Sequence, residues 1–327
     1  MKGEIINRAK YAVLTPNHVM DVLNSLNSTY QLNIFLLLIE NLKDYGQKEY
    51  DKYQSGQRAL FEQDTLTIKI PLSDISKPSE YRDVKNALLE MSRIHCEIRY
   101  KEDSVDKIWS GSLFNTTIPV KANYSSIIKI NMDIVVARLF INFNRNTSKQ
   151  PIFYTTVDTN IRRSTKSKNA IKLYLYLCLW RNKSFVKIKL SDLCNYLGLP
   201  KSYSSSYNFK KHILESSYMI LKNFKDVWYE LDDTQFKSNH LNDTILQLKL
   251  MTADRLKIEE EKNNLIYNLL KIHFDFKEKD IEDIMPIINS TQPESIYNKL
   301  STLLIRKDEI NNLTNYVKQS LFNEFKC

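Results

Sequence analysis

Hydrophobic positions along the chain fall into two stretches that repeat one order of elements, and then a third that is helical throughout. In the first stretch, the turn Leu14-Thr15-Pro16-Asn17 precedes Val19, Val22, Leu23 and Leu26 at helical spacing. Asn27-Ser28-Thr29 then caps a second helix with Leu32, Phe35, Leu36, Ile39 and Leu42 on one face. Gly46 to Gln63 is polar and weakly patterned, which predicts a loop. Leu66 to Ile70 alternates apolar and polar, the period of a half-buried strand. Leu72 to Ile75 predicts a short turn, and Pro78-Ser79 opens a helix with Val84, Leu88 and Met91 on its buried stripe. Ile94 to Tyr100, Trp109 to Val120 and Ser126 to Asn131 are β-branched and aromatic, a strand meander or wing. Met132 to Phe140 returns to helical spacing.

The second stretch repeats that order. A long helix is expected from about Thr159 to Trp180, with Ile171, Tyr174, Leu175 and Cys178 inward. Tyr174 and Tyr176 therefore read as core rather than as platforms for stacked bases. Phe185 to Leu190 alternates as a strand, and Ser191-Asp192 caps a short helix ended by Gly198 and Pro200. The serine-rich link Ser202 to Ser206 leads into a helix with Phe209, Ile213, Ile220 and Phe224 on one side. Two strands follow, Val227 to Leu231 and Thr244 to Leu250, joined by the polar loop Asp232 to Asp243. Helix, strand, helix, turn, helix, strand, wing, strand is the order of a winged helix, and it occurs twice at a spacing of about 140 residues. The expected fold is α+β: two tandem winged-helix domains, over 8–148 and 149–251, and a small helical region over 252–327.

Charge sharpens this picture once it is located. The chain of 327 residues carries a net charge of +9. Residues 149–190 hold ten Lys or Arg against one acid, Asp158. Residues 191–250 balance seven bases with seven acids, and residues 251–327 set eleven bases against thirteen acids. A local basic surplus is what a phosphate-binding face needs, and the acidic balance of the last region argues against phosphate contact there. That region is expected to serve association with a partner or a second copy.

Other chemistries lack their residues. The five glycines (Gly3, Gly46, Gly56, Gly111, Gly198) form no phosphate-cradling loop, which excludes a P-loop ATPase and a dinucleotide fold. The five histidines form no HxH pair and no zinc spacing joins them to the four cysteines, so no metal, cofactor or enzymatic activity is expected. No run approaches the roughly 18 apolar residues of a membrane span. With no export signal and no paired cysteine spacing, reduced thiols and a cytoplasmic location are expected.

Double-stranded DNA is the expected partner. A winged helix lays its third helix in the major groove, while its wing and first helix touch the backbone. In the second domain that helix starts near Tyr207 and turns Asn208, Lys211, His212 and Glu215 outward, with Lys210 flanking. Asn and Lys suit adenine and guanine edges. Ser204, Ser205 and Ser206 at its N-terminus can hold phosphate with the helix amides. Arg162, Arg163, Lys166 and Lys168 place four bases within seven residues with no acid, a second candidate backbone contact. The corresponding helix of the first domain offers Arg82, Lys85, Asn86 and Arg93, diluted by Glu80, Asp83 and Glu90.

The second domain resembles the C-terminal winged helix of iteron-plasmid replication initiators. The resemblance lies in Ser167 to Tyr174, Leu190 to Leu193, Leu197-Gly198-Leu199, Tyr203, Tyr207, Phe209-Lys210-Lys211 and Ile213-Leu214. The first domain is similar more loosely, so coverage runs over roughly residues 8–250. The resemblance implies monomers that bind direct repeats at a replication origin and open the adjacent AT-rich duplex, with the host initiator and replicative helicase as partners. It also implies a homodimer, joined through the first winged helix, that represses the initiator's own gene. Lys210 and Lys211 stand where relatives tend to carry arginine, so base preference does not transfer. A winged-helix transcriptional regulator is the alternative; a nickase or primase is disfavoured by the missing HxH pair and glycine loop.

Overall fold

A computed structural model describes residues 11–54, 65–102, 105–141, 144–145, 151–199, 203, 206–230, 245–291, 293–310 and 312–325. It is a mixed α+β protein whose sheets, among the described residues, have two or three strands each. It divides into two units, one ending at Leu250 and one beginning at Met251.

The first unit holds two runs of elements that share a core order, the first with an added hairpin and a closing helix. The lead strand β1 (Ala12–Pro16) passes through a 3-10 helix, Asn17–Ser25, to α1 (Thr29–Gln54). Then come β2 (Thr65–Pro71), α2 (Leu72–Ile75) and α3 (Tyr81–Met91). A hairpin of β3 (His95–Glu102) and β4 (Val105–Ser112) follows, then β5 (Asn115–Thr117), β6 (Ile127–Asp133) and α4 (Ile134–Ile141). After the short pair β7 (Asn144–Arg145) and β8 (Pro151–Ile152), the lead strand β9 (Tyr154–Asp158) opens the second run. It continues through α5 (Ile161–Ser164), α6 (Lys168–Leu179), β10 (Phe185–Lys189), α7 (Leu190–Leu197), α8 (Ser206–Phe209), α9 (Ser216–Phe224), β11 (Val227–Glu230) and β12 (Ile245–Thr252). Both three-stranded sheets share one order: β2-β6-β5 in the first run and β10-β12-β11 in the second. In each, the strand after the first helix pairs with the last strand, and the intermediate strand lies outside it.

The lead strands join the two runs. β1 and β9 pair antiparallel, Ala12 opposite Asp158 and Pro16 opposite Tyr154. Hydrogen bonds from Asn17 N to the Phe153 carbonyl and from Thr159 N to the Tyr11 carbonyl close both ends of this ribbon.

α6 is the central element of the second run. Every residue from Ala170 to Cys178 is buried, the pattern of a helix covered all round. It packs on β9, α9 and β11, and also on α1 of the first run. Tyr174 is fully buried, as the Leu-rich context predicts, and Tyr176 is 6% exposed.

α6 also buries Lys172 completely. Its ammonium donates to the Leu197 carbonyl at 3.2 Å, at the C-terminal end of α7, where a cation suits the helix dipole. Gly198 follows in the left-handed region at φ +62, and a Cβ there would stand 3.3 Å from Lys172 Nζ. Burial pulls the Lys172 pKa down to about 8, with Lys168 adding to the effect. A depressed lysine pKa means that between pH 8 and the unfolded value near 10.4 the unfolded chain binds more protons, so stability rises with pH there. Between pH 8 and 9.5 this rise is expected to be about 1.5 kcal/mol larger in the wild type than in Lys172→Met, measured by urea unfolding at both pH values. Equal pH dependence in the two proteins would contradict it.

Several expected boundaries move. The helix expected over 159–180 is two: α5 ends at Ser164, Thr165 is extended (φ −153), and the Ser167 side chain caps α6 by accepting from Ala170 N. The loop expected from Gly46 is helical as far as Gln54, because α1 runs on through Lys, Glu and Gln residues that favour helix. Residues 55–63 of that expected loop, and the loop Asp232 to Asp243, lie outside the described residues. Val19 to Leu26 falls largely in the 3-10 helix rather than an α-helix. The expected turn at Leu72 is one turn of helix with Leu72 and Ile75 buried.

The second unit is helical, as its spacing predicts: α10 (Ala253–Asn268), α11 (Glu278–Ser290), α12 (Pro293–Ile305) and α13 (Leu313–Glu324). Its core gathers Ile266, Leu270, Phe274, Ile284, Ile296, Leu300, Val317 and Leu321, each completely buried. Lys318 bridges Asp280 and Asp283 at 2.6 and 2.8 Å, tying α13 to α11. No helix among the described residues is long and apolar enough to cross a membrane.

Candidate nucleic-acid interface

The helix expected to meet DNA is continuous from α8 through a π-helical turn, Lys210–Glu215, into α9. Phe209, Ile213, Leu214, Ser217 and Leu221 face the core. The widened π turn lets two consecutive residues, Ile213 and Leu214, both tuck inward. Side chains satisfy the carbonyls there: the Tyr229 hydroxyl donates to Leu214 at 2.5 Å, and Ser216 Oγ donates to His212 at 2.6 Å. Such turns recur at functional sites because they re-aim the outer face of a helix without breaking it.

That outer face carries Tyr207, Lys211, His212, Met219 and Lys222, all exposed. Lys211 Nζ lies 5.8 Å from the Tyr207 ring centre, and the His212 ring meets the Tyr203 ring edge-on at 6.5 Å. Lys222 donates to the Tyr218 hydroxyl at 2.9 Å, an interaction that favours its charged form and raises its pKa. Lys210 is more withdrawn, 20% exposed and 3.7 Å from Glu215, and Asn208 is half-buried. Ser204, Ser205 and the Ser206 side chain lie outside the described residues.

The far end of this helix is held by one cluster. Lys225 turns the chain at φ +59, and Asp226 then accepts from Tyr174 at 2.5 Å and from Arg181. The Tyr174 hydroxyl accepts in turn from Asp158 N at 2.8 Å, and its ring meets Phe224 edge-on at 5.4 Å. α6, β9 and the α9–β11 turn are thereby fixed together. Burial beside Asp226 raises the Tyr174 pKa well above its ordinary value, so the phenol stays protonated as a donor.

The four bases between residues 162 and 168 are not one exposed patch. α5 does pack against α9, so the basic segment meets the second half of the candidate helix. Arg162 turns inward all the same: its side chain is 6% exposed, Nη1 donates to the Asp74 carbonyl at 2.8 Å, and Nη2 stands 3.4 Å from Glu40. Lys166, 80% exposed, reaches Glu80 at 2.9 Å. Arg163 is exposed, with its guanidinium 5.3 Å from the Tyr11 ring centre. Lys168 is half-buried near Lys172. Arg162 and Lys166 therefore join the two runs of the first unit, and Arg163 is exposed beside Tyr11.

Arg82 and Asn86 on α3 are exposed, as is Arg93 just beyond it, while Lys85 is tied to the Val120 carbonyl at 2.8 Å. Glu90 accepts from Gln31 at 2.8 Å, which leaves this face of mixed charge. Lys222, Lys187 and Lys189 were not among the expected DNA-facing residues. Lys222 continues the outward stripe of its helix, and Lys187 and Lys189 occupy the exposed positions of the alternating strand β10. Both periodicities are present in the sequence.

No protein-family model matches this sequence, and no curated protein matches it significantly.

Proposed function

We propose that the protein is a double-stranded DNA-binding replication initiator whose two runs of elements are tandem winged helices. The reading is carried by one observation: a helix with an outward face of Tyr207, Lys211, His212, Met219 and Lys222 stands against a small three-stranded sheet. The common strand order of the two runs and their antiparallel lead strands support it. In this reading the helix from Ser206 to Phe224 lies in the major groove, Lys and His contact base edges or phosphates, and binding and distortion of DNA are the whole mechanism. Distortion is cheapest at AT-rich steps. A homodimer, the host initiator and the replicative helicase are the partners this proposal carries with it, and the helical second unit is the natural place for protein contact.

The test is a gel-shift titration with duplexes taken from the DNA beside the gene, followed by permanganate footprinting. An initiator shifts tandem repeats as a ladder of complexes and leaves permanganate-reactive thymines in the neighbouring AT-rich tract. A protein that shifts one operator and exposes no thymines is a regulator instead.

A further inference from the structure

A cleft of about 840 Å³ opens between the first turn of α1, the α2–α3 connection and α5. That volume lies within the range of small-ligand sites. Four cations line it, Lys77, Arg162, Arg163 and Lys166, against two carboxylates, Asp74 and Glu80. Glu80 is already engaged by Lys166 at 2.9 Å and by the Ser76 hydroxyl. Ser73, Ser164 and Thr165 add hydroxyl donors to the wall.

Arg162 is the residue that asks for an anion. Its side chain is only 6% exposed, and its Nε has no hydrogen-bond partner. Glu40 at 3.4 Å, the Asp74 carbonyl at 2.8 Å and the field of the Asp74 carboxylate are what offset a guanidinium withdrawn from water. Burial lowers the Arg162 pKa, with neighbouring Arg163 acting in the same direction against Glu40. A buried cation this weakly compensated is stabilised by further negative charge nearby. The 26-residue helix α1 starts at the cleft with Thr29 and Tyr30; Ser28 Oγ caps the Gln31 amide at 3.2 Å, and the helix dipole favours an anion at this end.

We infer that this cleft binds a phosphate oxyanion, supplied either by a free nucleotide or by the backbone of DNA. Arg163 and Lys77 are its open, exposed cations, and Arg162 holds the floor. Acidic ligands without a compact oxyanion gain less, because the cations stand around one cleft rather than along a surface.

The experiment is isothermal titration calorimetry of the full chain with inorganic pyrophosphate and with ATP, in chloride at constant ionic strength. Saturable one-to-one binding with a dissociation constant below about 1 mM is expected for pyrophosphate. Lys77→Ala with Arg163→Ala should weaken it at least tenfold, while the tryptophan-monitored unfolding curve stays in place. ATP binding at least tenfold tighter than pyrophosphate, unaffected by an added duplex, assigns the site to a nucleotide. Equal affinities, with a duplex displacing both, assign it to DNA phosphate. No saturable heat with either probe overturns the inference, and so does binding undiminished in the double variant. Pyrophosphate binding in a protein that fails to bind any duplex would overturn the DNA-binding proposal and leave this one standing.

Discussion

Asp226→Ala is expected to remove about 3 kcal/mol from the stability of the first unit. The carboxylate is 11% exposed and receives both the Tyr174 hydroxyl and the Arg181 guanidinium, itself 26% exposed. Its loss takes the acceptor from a buried phenol and a counter-ion from a largely buried cation, and that desolvation cost exceeds the worth of the original bonds. The partial exposure of Arg181 keeps the figure at the lower end for a broken buried pair. All three tryptophans, Trp109, Trp180 and Trp228, lie in the first unit, so urea unfolding followed by tryptophan fluorescence reports this unit alone. A loss below about 1 kcal/mol would mean that the cluster does not hold the α9–β11 turn. Tyr174→Phe, which keeps the ring packing on Phe224 and deletes one hydroxyl, should cost less, about 1–2 kcal/mol.

Lys211→Ala with Lys222→Ala is expected to weaken duplex binding by roughly thirtyfold near physiological salt, with little change in stability. Both side chains are exposed on the outer face of the candidate helix, Lys211 beside the Tyr207 ring and Lys222 on the Tyr218 hydroxyl. Each lysine that neutralises a phosphate contributes about one unit to the slope of log affinity against log salt, so the double variant should be shallower by about 2. Lys210→Ala should change far less, because that ammonium is withdrawn beside Glu215. Fluorescence anisotropy of a labelled duplex measures all three. Wild-type affinity in the double variant would move the interface elsewhere.

What the sequence made legible was local and periodic. Alternation marked β2 and β10, and Gly198 with its left-handed φ marked the end of α7. The Leu-rich run around Tyr174 marked a buried helix. What it hid was set by distant partners or by competition between similar local options. Nothing near Arg162 reveals that its partner Glu40 stands 122 positions earlier, so its charge looked available. The β1–β9 ribbon likewise joins strands more than a hundred residues apart without a turn signal. The break at Thr165 arises because Ser167 caps a new helix, in a stretch whose flanks are helical on both sides. The π turn adds a residue within a helix of ordinary composition, so nothing local marks where Ile213 and Leu214 both turn inward.

We propose for the helix from Ser206 to Phe224 a phosphate-binding, sequence-reading face. Anisotropy titration of the wild-type protein meets it most directly, with a repeat-bearing and a scrambled duplex over about 50 to 300 mM salt. A straight, steep fall of log affinity with log salt is predicted, with the repeat bound tighter by at least about a thousandfold. A salt-independent affinity, or equal binding of the two duplexes, would contradict it.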